Sequence, residues 1–561
     1  MEHVLDLQVD QAQAQDDEEE SLQDGQEQPH DPQQDEQETA DVADGAEPGR
    51  MGWASAGHAK RAFHPHPTQD SQLVVLIPSL SPPRWSVEEA LPSTLPWALL
   101  IALVGEVLGV VFVARVLRRG GNPAVTLNWV LVILGAPYVG MLFYYLLPHR
   151  LYRRRLRRRA ERLAWIEPTL PGAEWSSPGV ATGDELSRLL TRFDPEAVHP
   201  GGRLRLLATG EDLLEAARTA IASAKRFVHV QTYIFRPDAA GRRVLEMLAA
   251  AAARGIEVRL LYDSFGSWSL GSGDLASFHA AGGKSAAFLP LLWRRRPFTL
   301  NFRNHRKLFV VDGEVAILGG RNVGTEYMTD RIEGTAIPWL DVMVEVRGPA
   351  VARLHRVFVE DWYHAAEEDL SDARYFPPQA ASESAALVGV VDTGPDVPTQ
   401  LPLVLLQLIG CAREHLELST PYVIPSPLVL AALQLAALRG VRVRIHTNGR
   451  AVENWLLYRA QRGHYGLLAQ AGVEVFESRE AYNHAKLILV DDRYAFVGSP
   501  NLDWRSSALN FELAITSTDR TLIREARALF EARLADADPV AAALPRIRLL
   551  DALCRLASPL L

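Results

Sequence analysis

One short pattern occurs twice in this chain and constrains its fold more than any other feature. The first copy starts at Asn304 and reads NHRKLFVVD; the second starts at Asn483 and reads NHAKLILVD. In both copies an aspartate follows the histidine by seven residues and an asparagine follows it by seventeen, and the two histidines are 179 residues apart. A repeat at this distance predicts two similar structural units within one chain.

The composition of the chain makes the repeated pattern unlike a chance match. With 16 histidines and five lysines in 561 residues, about 0.14 His-x-Lys pairs are expected by chance. Two occur, and they contain two of the five lysines, Lys307 and Lys486, although the chain has 58 basic residues in all. Because the chain otherwise uses arginine, lysine at these two positions indicates that the site requires a compact ammonium group.

Each motif is followed by an apolar, branched run that predicts a buried strand. Because side chains alternate along a strand, His305 and Lys307 point from one face, as do His484 and Lys486. An imidazole and an ammonium group side by side suit a phosphate diester, since one attacks or transfers a proton and the other neutralises oxygens. A solvated strand edge would explain one copy but not two.

The rest of each motif predicts a turn and a return strand. Asp312 and Asp491 lie in the turns; we count them with the catalytic residues, although a role in the turn alone fits the sequence equally well. The return strands end in glycine-containing pairs, where backbone can approach phosphate closely. We predict phosphate contacts for Gly320, Asn322, Ser499 and Asn501.

The next strand after each motif begins with an acidic residue, Asp341 in the first copy and Glu512 in the second. A nucleophilic imidazole needs its second nitrogen held by a carboxylate, so we predict that these two residues orient the histidines. A polar residue at a strand start would explain them without chemistry. If the two units pack face to face about a pseudo-twofold axis, His305 and His484 can act on one phosphorus as nucleophile and acid.

The rest of the chain divides into regions of different character. Residues 1–50 carry 17 acidic residues and one basic residue, Arg50, and too little apolar surface to fold. Two apolar segments, 95–113 and 127–147, are each long enough to cross a membrane as a helix, with Pro137 kinking the second. The predicted regions are a disordered acidic extension (1–90), a two-helix transmembrane hairpin (95–148), a basic juxtamembrane linker (149–199), and two repeats (200–385, with its motif at 300–327, and 386–561, with its motif at 479–506).

Charge and cysteine content narrow the possibilities further. Seven arginines lie between 150 and 159, after the second apolar segment, which by the positive-inside rule places the body in the cytoplasm. The two cysteines exclude a disulfide framework and a cysteine-rich zinc site. From about residue 200, short strands alternate with Ala- and Leu-rich helices, which predicts an α/β fold.

With these motifs, the chain resembles the phospholipase D superfamily and, over residues 95 to the end, the bacterial cardiolipin synthases. The resemblance includes both His-x-Lys-x4-Asp motifs with their Gly–Asn segments and several other stretches. These are the apolar segment after Asn122-Pro123, YIFRPD from Tyr233, TPY from Thr420, GSPNLDWRS from Gly498, and the terminal SPLL. The long acidic extension departs from the family pattern.

The resemblance implies a transfer reaction that needs no metal and no cofactor. A histidine attacks one phosphatidylglycerol, glycerol leaves, and a second phosphatidylglycerol resolves the phosphatidyl-histidine to give cardiolipin. By similarity His305 is the nucleophile and His484 the acid and then the base, with the reverse assignment open. Lys307, Lys486 and the motif asparagines would hold the phosphate oxygens. The implied location is the bacterial inner membrane; membrane lipid is the expected partner, nucleic acid is not, and no protein partner is indicated.

Three other functions share these features. A phospholipase D that hydrolyses its substrate, or that uses another acceptor alcohol, would have the same motifs and differ only in the acceptor pocket. A nuclease of the same superfamily fits less well, because a membrane hairpin would hold the site near lipid. An inactive membrane scaffold fits poorly, because both motifs are intact.

Overall fold

The computed structural model describes residues 95–118, 123–146, 184–290, 302–329, 339–379, 384–395, 400–540 and 549–556. The predicted acidic extension and the arginine cluster at 150–159 lie outside the described residues. The described residues thus comprise the apolar N-terminal helices and the body from residue 184 onward.

The first predicted apolar segment is one helix, Leu95–Leu117, of which Trp97–Leu117 is long and apolar enough to cross a membrane. The second is two shorter helices, Pro123–Gly135 and Pro137–Leu146. The break between them is at Pro137, whose ring nitrogen carries no hydrogen for the helical bond.

The first helix packs against the two that follow it. The Tyr138 hydroxyl donates to the carbonyl of Ile101 at 2.7 Å. Phe112, Val116 and Ile133 form a small buried cluster. Glu106, the one charged residue in the first segment, is exposed and does not face this cluster.

The described part of the body contains two large β-sheets, one two-stranded sheet and helices, and is therefore mixed α/β as predicted. The first sheet contains seven strands, in the spatial order β2 (Arg203–Leu207), β10 (Met343–Arg347), β8 (Val315–Gly319), β7 (Leu308–Val311), β3 (Phe227–Thr232), β4 (Glu257–Asp263) and β5 (Lys284–Phe288).

The second sheet follows a longer path. Its order is β1 (Val198–Pro200), β11 (Leu387–Thr393), β18 (Asn510–Ser517), β17 (Tyr494–Gly498), β16 (Leu487–Val490), β12 (His415–Ser419), β13 (Arg442–Asn448), β14 (Glu474–Ser478) and β19 (Ala537–Pro539). Two short strands precede the motif histidines: β6 (Arg303–Asn304) pairs with β18, and β15 (Tyr482–Asn483) pairs with β9 (Trp339–Leu340).

Six neighbouring strands have the same order in the two sheets. The series β10-β8-β7-β3-β4-β5 corresponds to β18-β17-β16-β12-β13-β14. In each series the last three strands are parallel to one another, and the motif strand, β7 or β16, is antiparallel to its neighbours. The motif strands are therefore central in both sheets.

Helices cover the outer faces of the sheets, and two of them, Ala350–Ala366 and Arg520–Leu534, contribute to the core between the sheets. A capping box at Thr209 fixes the start of helix Gly210–Ser223, because the Thr209 hydroxyl accepts from the N–H of Asp212 while the Asp212 carboxylate accepts from the N–H of Thr209. The described helices of the body are, in chain order, Glu185–Phe193, Gly210–Ser223, Ala239–Ala253, Ala276–Ala280, Thr325–Met328, Ala350–Ala366, a 3₁₀ turn at Ala373–Tyr375, Gln400–Cys411, Pro427–Leu438, Trp455–Gln470, Trp504–Ala508, Arg520–Leu534 and Leu549–Leu556.

The two sheets share a core. Alternate side chains of the motif strands, such as Val310 in β7 and Leu489 in β16, belong to one buried cluster that includes helix Ala350–Ala366. The residues between them, such as Phe309 and Ile488, belong to two separate outer clusters beneath the helices. The inner faces of the sheets therefore pack across a common layer.

Part of the predicted linker 149–199 forms regular structure in the body. Helix Glu185–Phe193 buries Leu186 and Leu190 in the core of the second sheet, to which β1 also belongs. The spacing of the two leucines puts them on one face, and the Asp184 side chain accepts from the N–H of Ser187 at the helix start. A stretch that precedes the first repeat in sequence thus packs with the second.

Candidate functional site

Each motif histidine is bound by backbone of the opposite half. The N–H of His305 donates to the carbonyl of Phe511 at 2.9 Å, and the N–H of His484 donates to the carbonyl of Leu340 at 2.7 Å. These contacts continue the short strand pairs that precede the histidines. Backbone of the second half (386–561) thus contacts the first motif histidine, and backbone of the first half (200–385) contacts the second.

The side chains cross in the same way. Nδ1 of His305 lies 2.9 Å from Oε2 of Glu512, and Nδ1 of His484 lies 2.6 Å from Oδ2 of Asp341. Both carboxylates are fully buried. They are the two acids singled out in the sequence, and each contacts the histidine of the other repeat. Because Nδ1 donates to a carboxylate, the tautomer leaves the lone pair on Nε2.

Burial and charge set the protonation of these pairs. Burial by itself would raise the pKa of Glu512, but His305 and the Lys307 ammonium lower it to about 2. The pKa of Asp341 is likewise lowered by His484 and Lys486 against the effect of burial. Burial lowers the pKa of His305 to about 4 and, together with Lys486, that of His484 to about 3. At neutral pH the site thus combines ionised carboxylates with neutral imidazoles.

The two lysines are buried beside the histidines. Lys307 Nζ donates to the carbonyl of His305 at 2.6 Å, and Lys486 Nζ donates to the carbonyl of His484. Burial lowers the pKa of Lys307 well below its usual value and that of Lys486 to about 8.

The charges of the two motifs interact across the halves. Lys486 contributes to the lowered pKa of His305, and Lys307 contributes to the lowered pKa of His484. Each lysine also lowers the pKa of its own motif histidine. The structure therefore brings the four basic groups predicted from the sequence within electrostatic range of one another.

The motif asparagines are held by neighbouring polar groups. Asn322 Oδ1 accepts from the N–H of Ile234 at 3.1 Å. Asn501 Nδ2 donates to the Tyr422 hydroxyl at 2.9 Å, and its backbone N–H donates to Ser506 Oγ at 3.0 Å. An amide nitrogen carries two hydrogens, so Asn501 retains one for a ligand.

Gly320 and Ser499 contact the carboxylates, where the sequence predicted phosphate contacts. A Cβ at Gly320 would lie 2.1 Å from Oδ1 of Asp341, so only glycine leaves room for that carboxylate. The Ser499 hydroxyl donates to Glu512. The backbone N–H groups of both residues are already bonded, to the carbonyls of Val342 and Leu513.

Asp312 and Asp491 are not brought into this cluster. Strand β7 separates Asp312 from Lys307 by roughly 16 Å at ~3.3 Å per residue, and β16 does the same in the second half. The Asp312 carboxylate accepts from three consecutive backbone N–H groups, those of Lys225, Arg226 and Phe227, at 2.7 to 2.9 Å. Asp491 accepts in the same way from the N–H groups of 413–415. Both side chains thus connect the far end of the motif strand to the start of the strand beside it in the sheet, β3 in the first half and β12 in the second.

Several residues at the site were not selected from the sequence. Rings surround both imidazoles: the centroid of Tyr233 is 5.0 Å from that of His305, and Trp339 is 5.3 Å from His484. Ser506 and Asn510 donate to Oε1 of Glu512 at 2.8 and 3.1 Å. Tyr233 and Ser506 lie in stretches that carry the family resemblance, which is the signal that could have identified them.

Comparison with known proteins shows which family the chain resembles in sequence. A family model described as cardiolipin synthase, PLD-like domain, matches residues 217–362 and 405–534. The chain is 35% identical over 451 residues to cardiolipin synthase A of Pseudomonas aeruginosa, covering 78% of this chain and 90% of that one. It is 32% identical over 470 residues to the cardiolipin synthase of Geobacillus kaustophilus, covering 81% and 92%. The crystal structure of a phosphatidylserine synthase from Haemophilus influenzae shares the fold, with a TM-score of 0.52 and 14% identity over 67% of this chain and 100% of that chain.

Proposed function

The chain belongs to the cardiolipin synthase family of phospholipase D-like proteins, and from this premise we propose that it makes cardiolipin. In the proposed reaction, a phosphatidyl group passes from one phosphatidylglycerol to a hydroxyl of a second, and glycerol is released. The observation that carries the proposal is the pair of crossed histidine–carboxylate contacts, which leaves Nε2 of both imidazoles available for chemistry.

In the first step Nε2 of His305 attacks the phosphorus of the donor lipid. The bond from phosphorus to the glycerol oxygen breaks, and His484, protonated at Nε2, gives its proton to that oxygen. Glu512 stabilises the positive charge that forms on His305. Burial and the charges of the two lysines hold the pKa of His484 low, and a bound phosphodiester anion would raise it by offsetting those charges.

In the second step His484, now neutral, takes the proton from the hydroxyl of the acceptor lipid. The hydroxyl oxygen attacks phosphorus, the bond from phosphorus to His305 breaks, and cardiolipin leaves. The two halves are alike, so the reverse assignment of nucleophile and acid is the competing version of the same mechanism.

We propose that Lys307 and Lys486 neutralise the phosphate oxygens and that Asn322 and Asn501 supply neutral donors. Gly320 and Ser499 act through the carboxylates, and Asp312 and Asp491 hold the motif strands. The positive charge of the two buried lysines makes a metal unnecessary in this scheme, so excess EDTA should leave the rate unchanged.

The proposed setting is the bacterial inner membrane. Helix Leu95–Leu117 would be the first span, and Pro123–Gly135 with Pro137–Leu146 a kinked second one. The seven arginines at 150–159 support a cytoplasmic body by the positive-inside rule. Extraction of the full chain by alkaline carbonate without detergent would contradict integration. Cleavage of the body by protease added outside intact cells would contradict the orientation.

A pseudo-twofold relation of the halves is part of the proposal. It is supported by the shared order of six strands and by the reciprocal contacts of the histidines with Leu340 and Phe511. Such symmetry provides the two steps with similar groups on opposite sides of one phosphorus.

The activity is tested in bacteria that lack their own cardiolipin synthases. We expect cardiolipin to appear when the chain is expressed, and not when the matched variant His305→Asn is expressed at the same level. Labelled phosphatidylglycerol in vesicles, with water or ethanolamine as competing acceptors, then separates the alternatives. Phosphatidic acid or phosphatidylethanolamine as the main product would replace cardiolipin synthesis by hydrolysis or by transfer to another alcohol. No product from any acceptor would favour an inactive scaffold.

A further inference from the structure

We infer that exposed aromatic side chains at the mouth of the site form a surface that inserts into the phospholipid bilayer. We call this surface the aromatic rim; its members are Phe265, Trp268, Trp455 and Trp504. The inference rests on the proposed function, because it concerns how the site meets lipid substrates. It is separate from the proposed membrane attachment through the apolar N-terminal helices.

The exposure of these side chains is unusual for their type. Trp268 is 82% exposed, Trp455 64%, Phe265 52% and Trp504 40%. Among the residues that the structure describes from 184 onward, the exposed tryptophans are Trp268, Trp455 and Trp504. By contrast, Trp362 is 1% exposed. Large aromatic surface in water is costly, so its concentration at one place indicates a binding surface.

In the first half the rim follows β4 and is tied to the motif. The Asp263 carboxylate, at the end of β4, accepts from the N–H of Asn304, next to His305, and from the N–H of Phe265. Two residues beyond Phe265, Ser267 Oγ donates to the carbonyl of Tyr233, whose ring packs on His305. Trp268 is the next residue, one position from this contact to the residue that packs on His305.

The second half repeats the arrangement after β13. Asn448, at the end of β13, accepts from the N–H of Asn483 at 2.6 Å, next to His484, and its amide donates to Glu453 at 3.1 Å. Trp455 lies two residues further on and begins a helix. Trp504 follows β17 at the start of the short helix whose Ser506 bonds Glu512. Both halves thus carry exposed aromatic residues at the cleft edge of their sheets.

A bilayer fits this surface better than a protein partner does. The imidazole of His305 is deeply buried, so the headgroups of two diacyl lipids must rise from the bilayer to reach it. Tryptophan favours the boundary between headgroups and acyl chains, where its ring is apolar and its N–H stays hydrated. Rim residues on both sides of the cleft would bring that boundary to the entrance used by donor and acceptor. Arg450, exposed near Trp455, adds positive charge for an anionic headgroup.

The test uses the full chain in liposomes of phosphatidylcholine and phosphatidylglycerol. The rim variant is Trp268→Ser with Trp455→Ser. The matched control is Leu435→Ser with Leu438→Ser, two leucines that are 56% and 72% exposed near the end of helix Pro427–Leu438. Rates are measured with long-chain phosphatidylglycerol in the bilayer and with dihexanoyl phosphatidylglycerol below its micelle concentration. Quenching of tryptophan emission by lipids brominated on the acyl chains reports insertion.

We expect the rim variant to lose at least about tenfold in rate on bilayer substrate and less than about twofold on the short-chain monomer. Quenching by brominated lipid should fall relative to the unchanged chain, and the control should change neither rate nor quenching. An equal loss on both substrates, an equal loss in the control, or unchanged quenching in the rim variant would overturn the inference. If the unchanged chain converts neither substrate, the proposed function fails, and the quenching difference still decides whether the rim inserts.

Discussion

Each motif histidine contacts one buried carboxylate, but the two carboxylates accept hydrogen bonds from different numbers of neighbouring groups. Glu512 accepts from His305 and from three further side chains, those of Ser499, Ser506 and Asn510. Asp341 accepts from His484 and from the N–H of Val342. A carboxylate held by several donors keeps its position when its histidine changes, whereas one held by few depends on that histidine. Equivalent residues of a repeat can therefore differ in how firmly they are held.

The residue between histidine and lysine extends this difference. In the first motif it is Arg306, whose guanidinium donates to Asp361 at 2.6 Å and to the carbonyl of Glu512 at 3.2 Å. In the second motif it is Ala485, which has no side-chain donor. The pair containing His305 is thus tied at both the histidine and the carboxylate, which suits a group that must hold one position through attack and release.

The largest expected effect separates the roles of the two histidines. His305→Asn and His484→Asn should each lower the rate of cardiolipin formation by at least about 10⁴-fold, because both steps use both imidazoles. Quenching in alkaline detergent, in which the bond from phosphorus to histidine is stable, after mixing with donor lipid labelled in the phosphate should trap labelled protein in the unchanged chain and none in His305→Asn. Label retained by His305→Asn and lost in His484→Asn would reverse the assignment.

The lysines test whether the site needs an ammonium group or only a positive charge. Lys307→Arg and Lys486→Arg should each cost about 10³-fold, because a planar guanidinium does not fit a fully buried ammonium position that contacts the histidine carbonyl. Thermal unfolding in detergent is the control for folding. Near-normal rates in a folded Arg variant would show that charge alone suffices.

The carboxylates test the unequal support directly. Glu512→Gln should lose about 10²-fold, since the new amide can donate to a hydroxyl of Ser499 or Ser506 and stay in place. Asp341→Asn should lower the rate about 10³-fold. In either orientation of the new amide, its NH₂ group faces a group that is itself a donor, the Nδ1–H of His484 or the N–H of Val342. The rates of cardiolipin formation of the two variants are measured side by side. Equal losses would mean that the extra donors to Glu512 do not help to hold its side chain in place.

Much of this comparison could be predicted from the sequence, but its crossed connectivity could not. The doubled motif identified both histidines and both lysines, and the acid at the next strand start identified Asp341 and Glu512. Two similar repeats give no indication of which acid meets which histidine, because that is decided by packing between the halves. The donors Ser506 and Asn510 also escaped notice, since serine and asparagine near a turn are ordinary. The position of Asp312 at the far end of β7 follows from strand length and was available from the sequence.

A smaller effect should appear in the pH dependence. Burial lowers the pKa of Lys486 to about 8, so its ammonium is charged below that pH and neutral above it. The free enzyme should therefore lose affinity for the phosphate as pH rises, and kcat/KM should fall about tenfold per unit above pH 8. Bound phosphate restores the charge, so kcat should stay flatter over the same range. A flat kcat/KM up to pH 10 would contradict a phosphate contact from Lys486.

The smallest effect on the reaction rate is expected at the motif aspartates. Their variants distinguish a role in anchoring the motif strand from a role in catalysis. Asparagine tolerates the left-handed backbone of Asp312, at φ 54°, so Asp312→Asn changes the hydrogen bonds and little else. An amide cannot accept from three N–H groups as a carboxylate does, and we expect a local cost of about 1–3 kcal/mol. The amides of 225–227 should then exchange with deuterium about 10- to 100-fold faster by mass spectrometry, while the rate per folded molecule stays within about twofold. Asp491→Asn is the matched variant and should show a smaller change at 413–415, because Asp491 is less buried than Asp312. A large loss of rate without faster exchange would return Asp312 to the catalytic residues.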